Sequence, residues 1–413
     1  MIKLLCVTGN VFQPKSGGDQ AVYNAIRLLS GHVEMHVFIV DNKSLCADYL
    51  SQIKKDLSLS GIFCFNISIK DRYEKVHQLC KRMKKFIQKL AKLEKEAALR
   101  ELNLDINLER NFNLYKAIND YVSNHTIDIV QFEFGSSLFW AQGVLPNVKL
   151  VYVQHEIQYV VERQRLGYNP SKTELFHWNI CKRREIAMQN VYDAVITLSE
   201  EDKVDLKKDG VIVPIFASFA KVELRNYRYN LFNESSRINL VFVGPEKHSP
   251  NYNGLRWFLN NVWYSVLDTY PNIRLQVVGN WTNATISDLT NEYRNIDFLG
   301  FVENLSSVLQ GNIMIVPIFE GSGIRMKILE AASMGIPFIS SSIGARGLGF
   351  VDGRNCLISN DSNDFSEKIK LMLSDKKLLN KLATAAHHYV VESFSDERFV
   401  ESRMICYNYI LNK

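Results

Sequence analysis

Cysteine is sparse in this chain, and cysteine pattern is absent. The seven residues Cys6, Cys46, Cys64, Cys80, Cys181, Cys356 and Cys406 are odd in number, scattered and free of any C-x-x-C pair. That spacing excludes a disulfide frame and a zinc site and fits reduced thiols. Long apolar runs are missing as well, since no stretch approaches the roughly 18–20 apolar residues of a membrane span. The opening "MIKLLCVTGN" is too brief for a signal-peptide core and reads as a first strand. Charge of one sign is not in excess either. A formal charge of +5 and a pI near 8.6 give no ground for a nucleic-acid partner. No His/Asp/Glu cluster has metal-ligand spacing, and there is no internal repeat or low-complexity tract. These absences lead us to expect a cytosolic protein with no metal and no nucleic acid.

What is present is an ordinary folded composition, 46% apolar and 23% charged, over 413 residues. That length exceeds one typical core, so two domains are expected. Apolar runs alternate with helical patterns. In the first half the strand candidates are 2–9, 34–40, 128–133, 149–155, 194–199 and 211–216. Helical stretches fall at 19–30, 74–100, 111–123, 172–190 and 200–208. Beyond 236, strands at 238–244, 273–279, 296–301, 313–319 and 337–341 alternate with helices at 252–268, 285–293, 303–310 and 324–334. This alternation predicts two doubly wound α/β domains with parallel sheets covered on both faces. The polar segment "RNYRYNLFNESSR" has no period and is the linker candidate.

Ligands of open parallel sheets bind at the carboxyl ends of the strands. The stretch "IFEGSGIRMKILEA", 318–331, stands at such an end. Gly321 and Gly323 remove side chains where a ligand must meet backbone, and they permit positive φ. Free N–H groups at the helix start form an anion site. Arg325 can hold phosphate oxygens in bidentate fashion, Lys327 adds a point charge, and Glu330 can accept from ribose hydroxyls. The pattern suits a nucleoside diphosphate. The plain alternative is a glycine-rich helix start with an i, i+3 pair between Lys327 and Glu330. A dinucleotide oxidoreductase is disfavoured because "GSGIRM" lacks the third glycine of G-x-G-x-x-G.

"GSGIRMKILEAASMGIPFISSSIGARGL" resembles the donor-binding segment of the family 4 retaining glycosyltransferases of the GT-B fold. "LVFVGPEKHSPNYNGLRWFLNNVWYSVLDTYPNIRLQVVGN", "IDFLGFVENLSSVLQ", "GGDQAVYNAIRLLS", "VYVQHEIQYVVERQR" and "YDAVITLSEEDKVDL" extend the likeness. It is fullest over 236–393, partial over 149–216 and faint over 41–127. It implies two Rossmann-like domains facing a central cleft. The acceptor-side domain would span 1–220, a linker 221–236, the donor-binding domain 237–393, and a C-terminal helix at 394–413 would cross back to the first domain. It implies that Glu330 binds ribose and that Arg325 and Lys327 bind the diphosphate at Gly321, Gly323 and Ile324. Phe301 and Val302 would flank the nucleobase, with Lys247 or His248 near the phosphates. Gly17 and Gly18 would approach donor phosphates and sugar, and His155 would lie near the reacting sugar. The plain reading of His155 is a strand-end histidine satisfied by a carbonyl, and that of Gly17–Gly18 a mere turn. Glu133, ending "DIVQFE", could face an acceptor hydroxyl but is expected to be a solvated carboxylate. The earlier of two family glutamates falls at Ser322 here, and Glu320 stands two residues too early to replace it.

The implied activity is sugar transfer from a nucleotide-diphosphate sugar to a glycan or lipid-linked acceptor, with retention, in surface polysaccharide biosynthesis. A degenerate partner subunit and a GT-B nucleotide-sugar epimerase are the alternatives. The basic stretch 71–100 has an apolar seam flanked by Lys81, Arg82, Lys84, Lys85, Lys89 and Lys92. It reads either as a packed helix or as a contact with an anionic membrane on the inner face of the cell.

Overall fold

A computed structural model describes residues 1–14, 16–41, 45–66, 108–167, 169–224, 232–233 and 237–413. The stretch 71–100, with its six flanking cations, lies outside the described residues, as does most of the linker candidate.

Two all-parallel sheets organise the chain. The first has seven strands: β1 (Lys3–Thr8), β2 (Glu34–Asp41), β3 (Gly61–Asn66), β4 (Ile129–Glu133), β5 (Lys149–Gln154), β6 (Ala194–Thr197) and β7 (Ile215–Ala217). Their order is β3-β2-β1-β4-β5-β6-β7. The second holds β8 (Leu240–Val243), β9 (Leu275–Val278), β10 (Ile296–Gly300), β11 (Ile313–Val316), β12 (Phe338–Ser340) and β13 (Leu357–Ile358), in the order β10-β9-β8-β11-β12-β13. Burial on both faces explains why these strands read as continuous apolar runs. In β1, Leu4 and Cys6 enter one core while Leu5 and Val7 enter the opposite one. In β8, Leu240 and Phe242 divide from Val241 in the same manner.

Strand order reverses between β1 and β4 and between β8 and β11. Crevices open at such switch points, outside the strand ends. The candidate site segments follow strands at these crevices and the neighbouring β5 and β10.

Some elements depart from the sequence reading. The edge strand β3 and the helices Ala47–Asp56 and Gln158–Arg165 were not anticipated. Phe63 in β3 is 40% exposed, so "GIFCFN" lacks the fully buried character that marks central strands. The strand expected at 211–216 is reduced to β7, because Pro214 delays its start. The last helix, Asp396–Leu411, leaves the second domain after Phe394. It lays Phe399, Cys406, Tyr407 and Ile410 into the core that contains Leu4 and Cys6. Lys221, at the start of the linker candidate, is buried there. Its ammonium donates to the Phe394 carbonyl at 3.0 Å and pairs with Asp396 at 2.5 Å.

Helix Ser249–Phe258 packs so closely on the segment after β11 that a Cβ on Gly254 would stand 2.3 Å from the Pro317 carbonyl oxygen. A backbone oxygen cannot move aside as a side chain can. Gly254→Ala should therefore destabilise the protein by about 1–3 kcal/mol through overpacking, despite alanine's better helix propensity of about 1 kcal/mol. Thermal denaturation checks this, and a melting temperature equal to or above wild type would contradict the packing.

Candidate active site

The turn after β11 is shaped by two left-handed residues, Gly321 at φ +104° and Gly323 at φ +70°. The helix begins at Met326, two residues later than the sequence suggests, and Arg325 is its N-cap rather than part of its first turn. The Arg325 side chain turns back onto its own loop. Nη1 donates to the carbonyls of Ser322 and Gly323 at 2.8 and 2.9 Å, and Nη2 donates to that of Glu320 at 3.0 Å. In this conformation the guanidinium braces the turn, a change from the expected bidentate grip on phosphate. Its Nε is buried and has no hydrogen-bond partner among the described residues. Burial lowers its pKa, and Glu156 from the first domain acts in the opposite direction.

Lys327, in the first turn of the helix Met326–Ser333, reaches across to β8. Its ammonium donates to the Val243 carbonyl at 2.6 Å and to Asn251 Oδ1 at 3.0 Å, and lies 5.1 Å from the centre of the Phe242 ring. The residue is only half-buried as a whole, but its charged end is enclosed and both hydrogen-bond partners are neutral. Burial, and next the nearby Arg325, pull its pKa down to about 7. Glu330 is half-buried one turn further on.

The first domain presents a matching helix start. Ser16 caps the helix Gly17–Leu29 by accepting from the Asp19 N–H at 3.1 Å. A Cβ on Gly17 would stand 2.8 Å from the Met326 Cβ, and one on Gly18 would stand 3.2 Å from the Phe134 ring. Glycine here lets the N-termini of two helices from different domains meet. Each end carries partial positive charge, so together they favour an anion.

His155 follows β5, its ring stacked on Phe134 at 4.3 Å between centroids. Its Nε2 lies 2.6 Å from Glu133 Oε2. Glu133 is 3% exposed, which corrects the expectation of a solvated carboxylate, and its other oxygen accepts from Gln131 Nε2 at 2.6 Å. The final position of β4 faces a packed element rather than water, so the carboxylate requires partners. With Nε2 on Glu133, Nδ1 is the histidine's other polar atom.

Contacts between domains surround this pair. The Ile157 N–H donates to Ser322 Oγ at 3.0 Å. Gln164 exchanges two hydrogen bonds with the backbone of Gly321, its Nε2 donating to the carbonyl at 3.4 Å and its Oε1 accepting from the N–H. A Cβ on Gly323 would lie 2.2 Å from the His155 carbonyl oxygen. Arg346 adds ion pairs to Asp205 and, at 3.8 Å, to Asp202. Ser322, standing where the resemblance places a glutamate, thus bridges the domains. Glu320 accepts from Asn253 Nδ2 at 2.7 Å.

Sequence reasoning missed Glu185. It accepts from the backbone N–H groups of Gln158 and Tyr159 at 3.1 and 3.0 Å and so caps the helix that carries Gln164. Burial raises its pKa to about 7. Its sequence signal, one carboxylate within a basic helical stretch, is indistinguishable from a surface residue.

On the far side of the second domain's crevice, Phe301 is 72% exposed and Val302 half-buried, while Lys247 is exposed. His248 stands at the start of the helix Ser249–Phe258. Partial enclosure of its ring lowers its pKa, while Glu156 acts upward and Arg325 and Lys327 act downward. Ile324 packs with both the first domain's core and the second's. Among the described residues no group of three or more His, Cys, Asp or Glu side chains is arranged to hold a metal.

The closed contact is open to direct test. Gly323→Ala combines left-handed backbone with a Cβ 2.2 Å from a carbonyl oxygen, so the domains should separate and the radius of gyration in solution scattering should rise. Ser322→Ala removes one hydrogen bond and should cost about 1 kcal/mol with no change of shape. A Gly323→Ala scattering curve superimposable on wild type would contradict the closed contact.

Residues 237–375 match the family described as glycosyl transferases group 1. An uncharacterised 44.6 kDa protein in the cps region of Klebsiella pneumoniae is 26% identical over 219 residues, 51% of this chain. The match spans about half of that relative too, 55% of its length. Among solved structures, Anabaena HepE in complex with UDP and glucose superposes with a TM-score of 0.64 at 12% identity, covering 99% of this chain and all of the other. Sucrose-phosphate synthase from Thermosynechococcus elongatus gives 0.68 at 13% identity, with 99% of each chain covered. WaaG, a glycosyltransferase involved in lipopolysaccharide biosynthesis, gives 0.60 at 13%, covering 98% and 99%. The chain has the GT-B glycosyltransferase fold, and its second domain carries the sequence pattern of the group 1 glycosyl transferases.

Proposed function

We propose that this protein is a glycosyltransferase that moves a sugar from a nucleoside-diphosphate sugar to a glycan or lipid-linked acceptor in surface polysaccharide biosynthesis. One observation carries the reading. Two helix N-termini and the enclosed Lys327 ammonium converge where the strand orders of both sheets reverse. An anion with charge to spare is what such a place favours. HepE holding UDP and glucose, WaaG acting in lipopolysaccharide biosynthesis and a relative from a cps region give the reading its context.

In this reading the diphosphate lies at the start of the helix Met326–Ser333. Lys327 faces its growing charge as the sugar–phosphate bond loosens, and the helix dipole acts in the same sense. Arg325 keeps the glycine turn in shape through its bonds to the loop carbonyls. Glu330 accepts from the ribose, and Phe301 with Val302 flanks the base. His155, fixed by Glu133, presents Nδ1 to the transferred sugar. Front-face attack with retention is the proposed course, as the family resemblance implies. The acceptor hydroxyl then passes its proton to the departing phosphate. The contacts of Ser322 and Gln164 exclude water from the closed site and so limit hydrolysis.

Retention of Lys327 and Glu330 disfavours a degenerate partner subunit, and product analysis separates transfer from epimerisation. No described helix is long and apolar enough to cross a membrane. Contact with an anionic membrane on the cytoplasmic side rests on the basic stretch 71–100 alone.

Calorimetry with UDP, GDP, ADP and CMP tests the donor assignment. Glu330→Gln should weaken the best nucleoside diphosphate by about 1–3 kcal/mol, and unchanged affinity would remove Glu330 from the ribose site. A second expectation follows from the Lys327 pKa near 7. At pH 8 the ammonium is largely deprotonated in the free protein, and an arriving diphosphate favours its charged form. Binding should therefore take up protons at pH 8, read as a buffer-dependent enthalpy, and Lys327→Met should abolish the uptake. Identical enthalpies in buffers of different ionisation heat would show that the diphosphate does not reach Lys327.

A further inference from the structure

Behind the His155–Glu133 pair lies a buried polar chain that the reaction does not use. Tyr407, fully buried in the last helix, donates its hydroxyl to Gln131 Oε1 at 2.6 Å. The same Gln131 donates through Nε2 to Glu133 Oε1, also at 2.6 Å, and Glu133 Oε2 meets His155 Nε2. One turn before Tyr407, Arg403 is 3% exposed, with its guanidinium carbon 5.2 Å from the centre of the Phe399 ring. Its Nε and Nη1 are buried without a hydrogen-bond partner among the described residues.

Arg403 lines a small space together with Glu133, His155, Lys221 and helix residues Ala21 and Ala25. The free volume is about 10 Å³, enough for the centre of one water and too little for a larger ligand. A buried guanidinium with two unsatisfied donors is costly unless something accepts from it. A water in this space has a donor set on one side and a carboxylate on the other. The buried Cys6 thiol belongs to the same group, held well above its usual pKa by burial and then by Glu133.

We propose that the helix Asp396–Leu411 is a positioning element for the His155–Glu133 pair. Tyr407 acts through Gln131, and Arg403 acts through one water bound between its guanidinium and Glu133. The helix leaves the second domain through Phe394 and Asp396, which the Lys221 ammonium grips. The placement of the first domain's histidine therefore depends on a segment that follows the donor-binding domain in sequence. What His155 is positioned to do rests on the glycosyltransferase reading, whereas the network itself does not.

Histidine-selective ¹⁵N labelling of the full chain provides the test, with the His155 ring N–H assigned by its loss in His155→Gln. In the wild type the Nε2 proton should be shifted downfield and exchange slowly, because it lies against the buried Glu133 carboxylate. Tyr407→Phe removes one oxygen, and it should speed that exchange about tenfold or more. Arg403→Met should do the same, while Arg403→Lys, which keeps a donor, should restore much of the protection. Ile410→Val, in the same helix and core but outside the network, should leave the resonance in place. An unchanged proton in both Tyr407→Phe and Arg403→Met would overturn the proposal. An equal response from Ile410→Val would overturn it too, as general loosening of the core. A crystal structure with that space dry would remove Arg403 from the account and leave Tyr407 alone. UDP affinity should stay within about twofold of wild type in the Tyr407, Arg403 and Ile410 variants. A wild type that binds none of the four nucleotides but shows the NMR response would defeat the transferase reading and leave the network standing.

Discussion

Closeness of backbone to backbone at the domain boundary is the constraint on which this structure depends. The Gly323 turn sits against the His155 carbonyl, and the helix starts at Gly17 and Met326 nearly touch. Neither approach leaves room for a Cβ without movement. Everything assigned to the site follows from that proximity. The converging helix dipoles, the interdomain hydrogen bonds of Ser322 and Gln164, and the placement of His155 near the proposed diphosphate position all require closed domains. The glycines are thus a condition of assembly more than of turn geometry.

Electrostatics then gives the closed site its direction. Lys327 stands enclosed with neutral partners, Arg325 carries a buried Nε without an acceptor among the described residues, and two helix ends point the same way. A buried cationic site is unfavourable in isolation, even with Glu156 of the first domain facing it, because desolvation costs several kcal/mol per ion. The protein relieves part of the cost by lowering the lysine's pKa toward neutrality. In the proposed reading a diphosphate relieves the rest. The first domain solves the opposite problem, a buried carboxylate at Glu133, with donors from Gln131 and His155.

Much of this was legible in the sequence, and the reasons for the remainder are physical. Parallel strands buried on both faces announce themselves as apolar runs, so the two sheets and their alternation with helices were readable. The edge strand β3 was not, because Phe63 faces solvent and the run loses its contrast. The glycine turn with Lys327 and Glu330 was legible because its residues are neighbours in sequence. Arg325 was read as a phosphate clamp, yet its guanidinium bonds to carbonyls two to five residues back, a choice of rotamer that composition does not encode. Glu133 was misread because its burial depends on residues far along the chain. Tyr407 reaches Gln131 across 276 positions, and Ser322 reaches Ile157 across 165. Long-range partners of single polar residues leave no local pattern.

The central claim is that the convergence of Lys327 with the two helix ends is a diphosphate site. It is tested most directly by comparing the affinities of uridine and UDP for the wild-type protein by calorimetry at low ionic strength. The account predicts that the diphosphate tightens binding by at least about tenfold, since charge-assisted hydrogen bonds to an enclosed cation are worth roughly 1.5–3 kcal/mol. Equal affinity for uridine and UDP would contradict it.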